Sequence, residues 1–271
     1  MEPDPTSYNE ALNQKDRKKW QEAIDKELNS LTNLETWTEE ELPHGTPTVK
    51  SRWVFKKKTD RNGHVSKYKA RGVAKGFTER AGINFFNTYA PTMKLASLRI
   101  LFAVAVHLKW DLRLLDVDSA FLMSVLPPTE VIYMDYLPGM RRRKGCALRL
   151  LRSIYGLKQA AYHWNQNIHG TVTSLGYVRT EADACLYVMI KDGKLICILG
   201  VHVDDITIAG ETKAIELTVQ GIKDKYSVTD SGQPDMVLGI AVDYDKKEGV
   251  LMLSQKAKVD TILNDIGLTE V

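Results

Sequence analysis

Apolar residues recur at intervals of three and four from Trp20 through Ile24 and Leu28 to Leu31, which lines one helical face and predicts a helix over 16–33. A stretch with two prolines and a glycine, 41–48, ends it. Residues 52–58 and 64–74 predict two strands joined by the turn Asp60-Arg61-Asn62-Gly63, a basic hairpin. A buried helix is expected over 95–108, and an apolar strand over 112–117 that ends in acidic residues. A short strand follows at 131–134, then a long helix at 160–175 stopped by Gly176. Strands at 186–190 and 194–203 flank the turn Lys191-Asp192-Gly193, and a strand at 206–209 follows a two-residue Asp-Asp tip. A helix over 212–226, a hairpin of 237–244 with 250–253, and a helix over 255–266 complete the pattern. Helices interleave with hairpin-connected strands, which predicts an α+β fold with an antiparallel sheet. There is no internal repeat.

Composition narrows the class without naming a function. Of 271 residues, 44% are hydrophobic and 26% charged, as in an ordinary soluble domain. The net charge of +3 is mild, but cations crowd into 50–80 and 141–158 while acids dominate 35–41. The three cysteines, Cys146, Cys185 and Cys197, have no paired metal-ligand spacing, so neither a disulfide scaffold nor a structural zinc site is expected. Residues 1–13 lack an apolar signal core, and the longest apolar stretches, 100–108 and 195–203, are too short to span a bilayer. The expectation is an intracellular protein with no membrane partner.

Candidate chemistry concentrates in Val201-His202-Val203-Asp204-Asp205-Ile206-Thr207-Ile208, where two adjacent carboxylates interrupt an apolar strand-turn-strand. Such neighbours repel and resist desolvation unless a cation binds; a solvated hairpin tip would carry the same pair. Leu114-Leu115-Asp116-Val117-Asp118 places another carboxylate at the end of an apolar strand. Three carboxylates gathered there would suit magnesium, and two ions about 3.5–4 Å apart would clamp an in-line phosphoryl displacement. Lys67, Lys69 and Arg71 alternate along one strand and so share a face, which suits a triphosphate or a template backbone. A solvated edge strand protected by lysines is the other reading. His163 and His169 have no third ligand, and Cys197 reads as a small buried hydrophobe.

These segments occur in a recognisable order. Residues 20–37 (WQEAIDKELNSLTNLETW), Arg52-Trp53-Val54-Phe55-Lys56, residues 68–77 (YKARGVAKGF), Tyr89-Ala90-Pro91-Thr92, residues 153–160 (SIYGLKQA) and residues 183–188 (DACLYV) lead to the Asp-Asp segment. Together they resemble the copia-type retrotransposon reverse transcriptases over nearly the whole chain. The resemblance implies a right-hand polymerase fold with an antiparallel palm sheet flanked by helices and the thumb largely absent. Residues 1–50 would form a helical leader, 51–92 and 126–163 the fingers, 93–125 and 164–245 the palm, and 246–271 the start of a thumb or connection. It implies that Asp116, Asp204 and Asp205 bind two Mg²⁺ (or Mn²⁺) ions and carry catalysis. The main chain at Ser119 and Ala120 would lie under the incoming triphosphate, and Phe121 would be a steric gate against a 2′-hydroxyl; core packing is the other reading of Phe121. Lys69, Arg71 and Gln159 would contact the nucleotide, and Lys67, Lys158 and His202 the template–primer. Asp118 is not a ligand position and reads as solvated or supporting.

Some positions depart from the family's pattern. His202 stands where tyrosine is usual, Met123-Ser124 where His-Gly or Asn-Gly is usual, and Ala161-Tyr162 where Pro-Arg is usual. Gly72 replaces a leucine, at some expected cost to its strand, and Tyr136-Leu137 replaces Gln-Pro. Two functional readings therefore stand. One is an RNA-directed DNA polymerase that takes RNA or DNA template–primer and deoxynucleoside triphosphates. The other is an inactive or domesticated remnant that binds nucleic acid or another protein. The implied location is a cytoplasmic retroelement particle, or the nucleus.

Overall fold

A computed structural model describes residues 2–59, 64–80, 82 and 84–268. In chain order it begins with α1 (Tyr8–Asn13), α2 (Arg17–Asn33), β1 (Trp37–Glu41), β2 (Ser51–Thr59) and β3 (Val65–Ala74). Next come α3 (Leu95–His107), β4 (Asp111–Val117), β5 (Tyr133–Met134), β6 (Cys146–Leu150) and α4 (Ala160–Ser174). Then follow β7 (Val178–Arg179), β8 (Leu186–Lys191), β9 (Lys194–His202), β10 (Asp205–Gly210) and α5 (Thr212–Lys223). The chain closes with β11 (Val228–Gly232), β12 (Met236–Val237), β13 (Ile240–Asp245), β14 (Val250–Ser254) and α6 (Lys256–Asp265). The expected α+β class with antiparallel sheets holds: every named strand pair is antiparallel. The expected turn at 60–63 lies outside the described residues.

The chain divides into two compact units, one of 1–90 with 119–167 and one of 91–118 with 168–271. In the first, α2 packs on the β2–β3 hairpin because its periodic residues Trp20, Ile24 and Leu31 are all buried. Trp20 meets Phe55 and Tyr68 edge-on, with ring centroids 5.3 and 4.7 Å away. Register then sorts the hairpin's two faces. Trp53, Phe55, Tyr68, Ala70 and Gly72 lie on the covered face, while Lys56 opposite Lys69 and Lys58 opposite Lys67 lie on the other. A second, three-stranded sheet of order β1-β6-β5 completes this unit's framework.

The second unit is built on a six-stranded sheet of order β11-β4-β10-β9-β8-β7. The β8–β9 turn is Asp192-Gly193 with φ of +52° and +74°, the primed geometry that suits a two-residue hairpin. Leu98, Leu101, Phe102 and Ala105 of α3 are buried with Ile198 and Ala209 of the sheet. Cys197 is fully buried, as expected, and accepts a hydrogen bond from Tyr177 at 3.0 Å.

Candidate active site

Antiparallel pairing of β4, β10 and β9 gathers the acidic residues of the second unit. Asp205 lies directly across from Asp116 on β4 and across from His202 on β9. Because His202 pairs with Asp205, the two-residue loop of this hairpin is Val203-Asp204, and Asp205 is already a strand residue. The expected Asp-Asp tip is thus displaced by one position, and the two carboxylates play different structural parts. Val203 takes φ +57°, a conformation that costs a β-branched residue of the order of 1 kcal/mol or more. The Val117 amide donates to the Asp204 carbonyl at 2.9 Å, which ties the loop to the end of β4.

Electrostatics records the crowding. Burial, then the charges of Asp204 and Asp116, push Asp205 above the usual carboxylate range, and His202 opposes them. The His202 Nδ1 is buried without a hydrogen-bond partner. Asp118 is exposed and accepts a hydrogen bond from Ser227 at 2.8 Å, consistent with a supporting position. Among the described residues no set of three His, Cys, Asp or Glu side chains closes around one point where a metal ion would sit. Register brings Asp116 and Asp205 to facing positions, and the charges of Asp116 and Asp204 weigh on Asp205. An all-oxygen set under that repulsion fits a divalent cation, which would relieve it.

The first unit holds the remaining expected site residues. Lys67, Lys69 and Arg71 share the uncovered face of β3, where Lys58 and Lys56 stand opposite the two lysines. Burial above all, then the charges of Arg71, Lys58 and Lys67, lower Lys69 from its ordinary value, and Glu27 opposes them. Arg71 lies 4.3 Å from the Tyr155 ring centroid, and Tyr155 meets Phe121 edge-on at 5.1 Å, so the three side chains form one stack. Phe121 is half-buried at the margin of the core, and its neighbour Ala120 is buried. Ser119 has φ +54° and its carbonyl accepts from Leu122 at 2.8 Å, opening the single turn Ala120–Met123.

Gln159 is fully buried, its Nε2 donating to the Asn84 carbonyl at 2.8 Å, which ties it to the tract around it. Around it Glu79 accepts from the Lys158 amide at 2.9 Å, and Glu130 pairs with His163 at 2.9 Å. Burial raises Glu79 above the usual carboxylate range. Lys158 itself is exposed, its Nζ lying 4.4 Å from the Phe85 ring centroid. A groove of about 430 Å³ beside it is lined by Arg52, Val54, Lys75, Phe77 and Lys158. Sequence reasoning does not reach Tyr155, Glu79 and Glu130 as site residues, since a tyrosine in a turn and isolated glutamates carry no spacing signal.

Residues 34–271 match the family model described as reverse transcriptase (RNA-dependent DNA polymerase). Among curated relatives, the retrovirus-related Pol polyprotein from transposon RE2 of Arabidopsis thaliana is 35% identical over 226 residues, covering 82% of this chain and 15% of its own length. That from transposon TNT 1-94 of Nicotiana tabacum is 32% identical over 96% of this chain and 20% of its own length. The chain therefore spans between 15% and 20% of these two relatives. A foamy viral protease–reverse transcriptase solved in complex with double-stranded DNA shares the fold, with a TM-score of 0.52 at 16% identity over 91% of this chain and 37% of the other. The Asp-Asp hairpin, the β2–β3 segments and the SIYGLKQA tract, set on this fold, agree with those comparisons: the chain belongs to the copia-type reverse transcriptase family.

Proposed function

We propose that this chain is the polymerase region of a retroelement reverse transcriptase, extending a primer on an RNA or DNA template with deoxynucleoside triphosphates. The observation that carries this reading is the register that sets Asp205 opposite Asp116 and ties Asp204 to the end of β4. Asp116, Asp204 and Asp205 would hold two Mg²⁺ or Mn²⁺ ions, which supply activation of the primer 3′-hydroxyl and charge neutralisation at the triphosphate. The second unit thus serves as the palm. In the first unit, Lys67, Lys69 and Arg71 offer fixed positive charge to phosphate oxygens. Tyr155 holds Arg71 and Phe121 in one stack, so the phosphate-binding cation and the sugar-facing ring are positioned together. His202, paired with Asp205, serves the primer end, and Lys158 the template side.

The test is extension of a labelled primer on an RNA template with magnesium or manganese, each deoxynucleotide supplied alone. Addition of only the templated nucleotide, in a metal-dependent manner, is the expected result. Metal-independent or untemplated addition would defeat the reading. Salt-sensitive template binding without any addition would favour the non-catalytic remnant.

A further inference from the structure

Four consecutive cations, Arg141, Arg142, Arg143 and Lys144, lie between β5 and β6 of the first unit, and all four are exposed. Nothing in the polymerase reading uses them. A run of like charge on a slack loop is ordinarily just solvated, but this one is held. The Trp53 indole donates to the Pro138 carbonyl at 2.9 Å, and the Met140 amide to the Leu137 carbonyl at 3.1 Å. On the far side, the Cys146 amide donates to the Arg143 carbonyl at 3.2 Å, and the Leu42 amide to the Gly145 carbonyl at 2.9 Å. Gly139 and Gly145 take φ of +90° and +78°, and a Cβ on Gly139 would strike the Tyr8 ring at 2.3 Å. The backbone flanking the turn is therefore bonded to β2 and to Leu42 just after β1 and packs closely on Tyr8, while the four cations are exposed.

Two of the nearby acids are committed elsewhere, while Glu39 and Glu41 of β1 are exposed. Asp135 pairs with Lys50 at 2.9 Å, and Arg142 reaches it only as a more distant charge. Glu40 faces Arg149 at 3.6 Å and accepts from Tyr133 at 3.5 Å. Among the described residues, none of the four turn cations has an ion-pair partner. Holding such a set together costs repulsion that an anionic partner removes. A polyanion with evenly spaced charges suits consecutive exposed cations, and each phosphate neutralised releases condensed counterions.

We infer that the Arg141–Lys144 turn is a second nucleic-acid contact, which grips the sugar–phosphate backbone of the bound nucleic acid without reading its bases. It rests on the polymerase reading only in taking nucleic acid as the substrate. Contacts of this kind position a duplex and carry no sequence information. The turn therefore strengthens holding and does not take part in nucleotide addition.

The test is fluorescence-anisotropy binding of a labelled RNA–DNA template–primer across salt from about 50 to 200 mM. It compares the whole chain with a variant carrying Arg141→Gln, Arg142→Gln, Arg143→Gln and Lys144→Gln. A second variant keeps the charge, with Arg141→Lys, Arg142→Lys and Arg143→Lys. The glutamine variant is expected to bind more weakly, its log K against log[salt] slope shallower by about 0.7–0.9 for each phosphate it no longer neutralises. The lysine variant is expected to keep the slope. Equal affinity and slope in all three proteins would overturn the inference, and so would weakening confined to one base sequence. A matching melting temperature for the glutamine variant separates a weakened grip from a damaged fold. Because binding is read without extension, failure of the polymerase reading shows in primer addition and leaves this result distinct.

Discussion

Asp205, the first residue of β10, lies directly across the antiparallel ladder from Asp116, the penultimate residue of β4. Two carboxylates in facing register destabilise a sheet unless something lies between or beside them. Burial and the charges of Asp204 and Asp116 raise Asp205, so the folded state holds its proton more tightly than the unfolded chain. Stability from this group is therefore lost as pH rises from the ordinary carboxylate value through the raised one. Asp205→Asn should melt at or above the unmutated temperature at neutral pH in chelator. Magnesium should raise the melting temperature of the unmutated protein and leave the variant unmoved. Equal magnesium shifts in both would remove Asp205 from the metal site.

The Arg71–Tyr155–Phe121 stack makes a kinetic prediction. Each contact is of a kind worth roughly 0.5–1.5 kcal/mol. Tyr155→Leu should raise KM for deoxynucleotides by about 3- to 10-fold and increase ribonucleotide incorporation, with smaller change in kcat. A variant with unchanged KM and unchanged sugar discrimination would separate the stack from nucleotide binding.

Glu79 accepts from the Lys158 amide inside a buried cluster, and burial raises it above the usual carboxylate range. A raised carboxylate loses its stability contribution as pH climbs from its ordinary value through the raised one. Glu79→Gln can still accept that hydrogen bond without a charge. Its melting temperature relative to the unmutated protein should therefore climb as pH rises from the ordinary carboxylate value through the raised one. A constant difference over that range would mean Glu79 titrates normally.

Gly72 and Leu137, two departures from the family pattern, meet in the first unit. A Cβ on Gly72 would lie 2.6 Å from Leu137 Cδ1 and 3.3 Å from Leu31 Cδ1. Glycine at this place thus makes room for leucine at the other, and its cost to the strand is offset by packing. Gly72→Leu should destabilise by about 1–3 kcal/mol. The double variant Gly72→Leu with Leu137→Pro should recover part of that, with a coupling of about 0.5–3 kcal/mol in denaturant unfolding. Strict additivity would contradict the pairing.

Much of the fold is legible in the sequence because its elements carry strong periods. Trp20, Ile24 and Leu31 announce α2, and the apolar runs in β4, β9 and β10 announce the sheet that holds the carboxylates. β1 escapes such reading because its sequence, WTEEE, places three glutamates in a row where one edge of a strand faces solvent. β11 reads as loop from VTDSG, yet it gains its shape from pairing with β4. The one-residue displacement of the Asp204-Asp205 tip is invisible in the sequence because it depends on Val203 accepting a positive φ, which its residue type argues against. The buried role of Gln159 is likewise hidden, since burial there is set by Glu79, Asn84 and Glu130, residues distant in sequence.

The most direct test of the central claim is primer extension on an RNA template in magnesium or manganese, comparing the protein with its Asp204→Asn variant. The substitution leaves the Asp204 carbonyl that receives the Val117 amide in place. Extension by the unmutated protein, with template binding retained but extension abolished in the variant, is the predicted result. Extension at the same rate by both proteins would contradict the assignment of this hairpin as the catalytic centre.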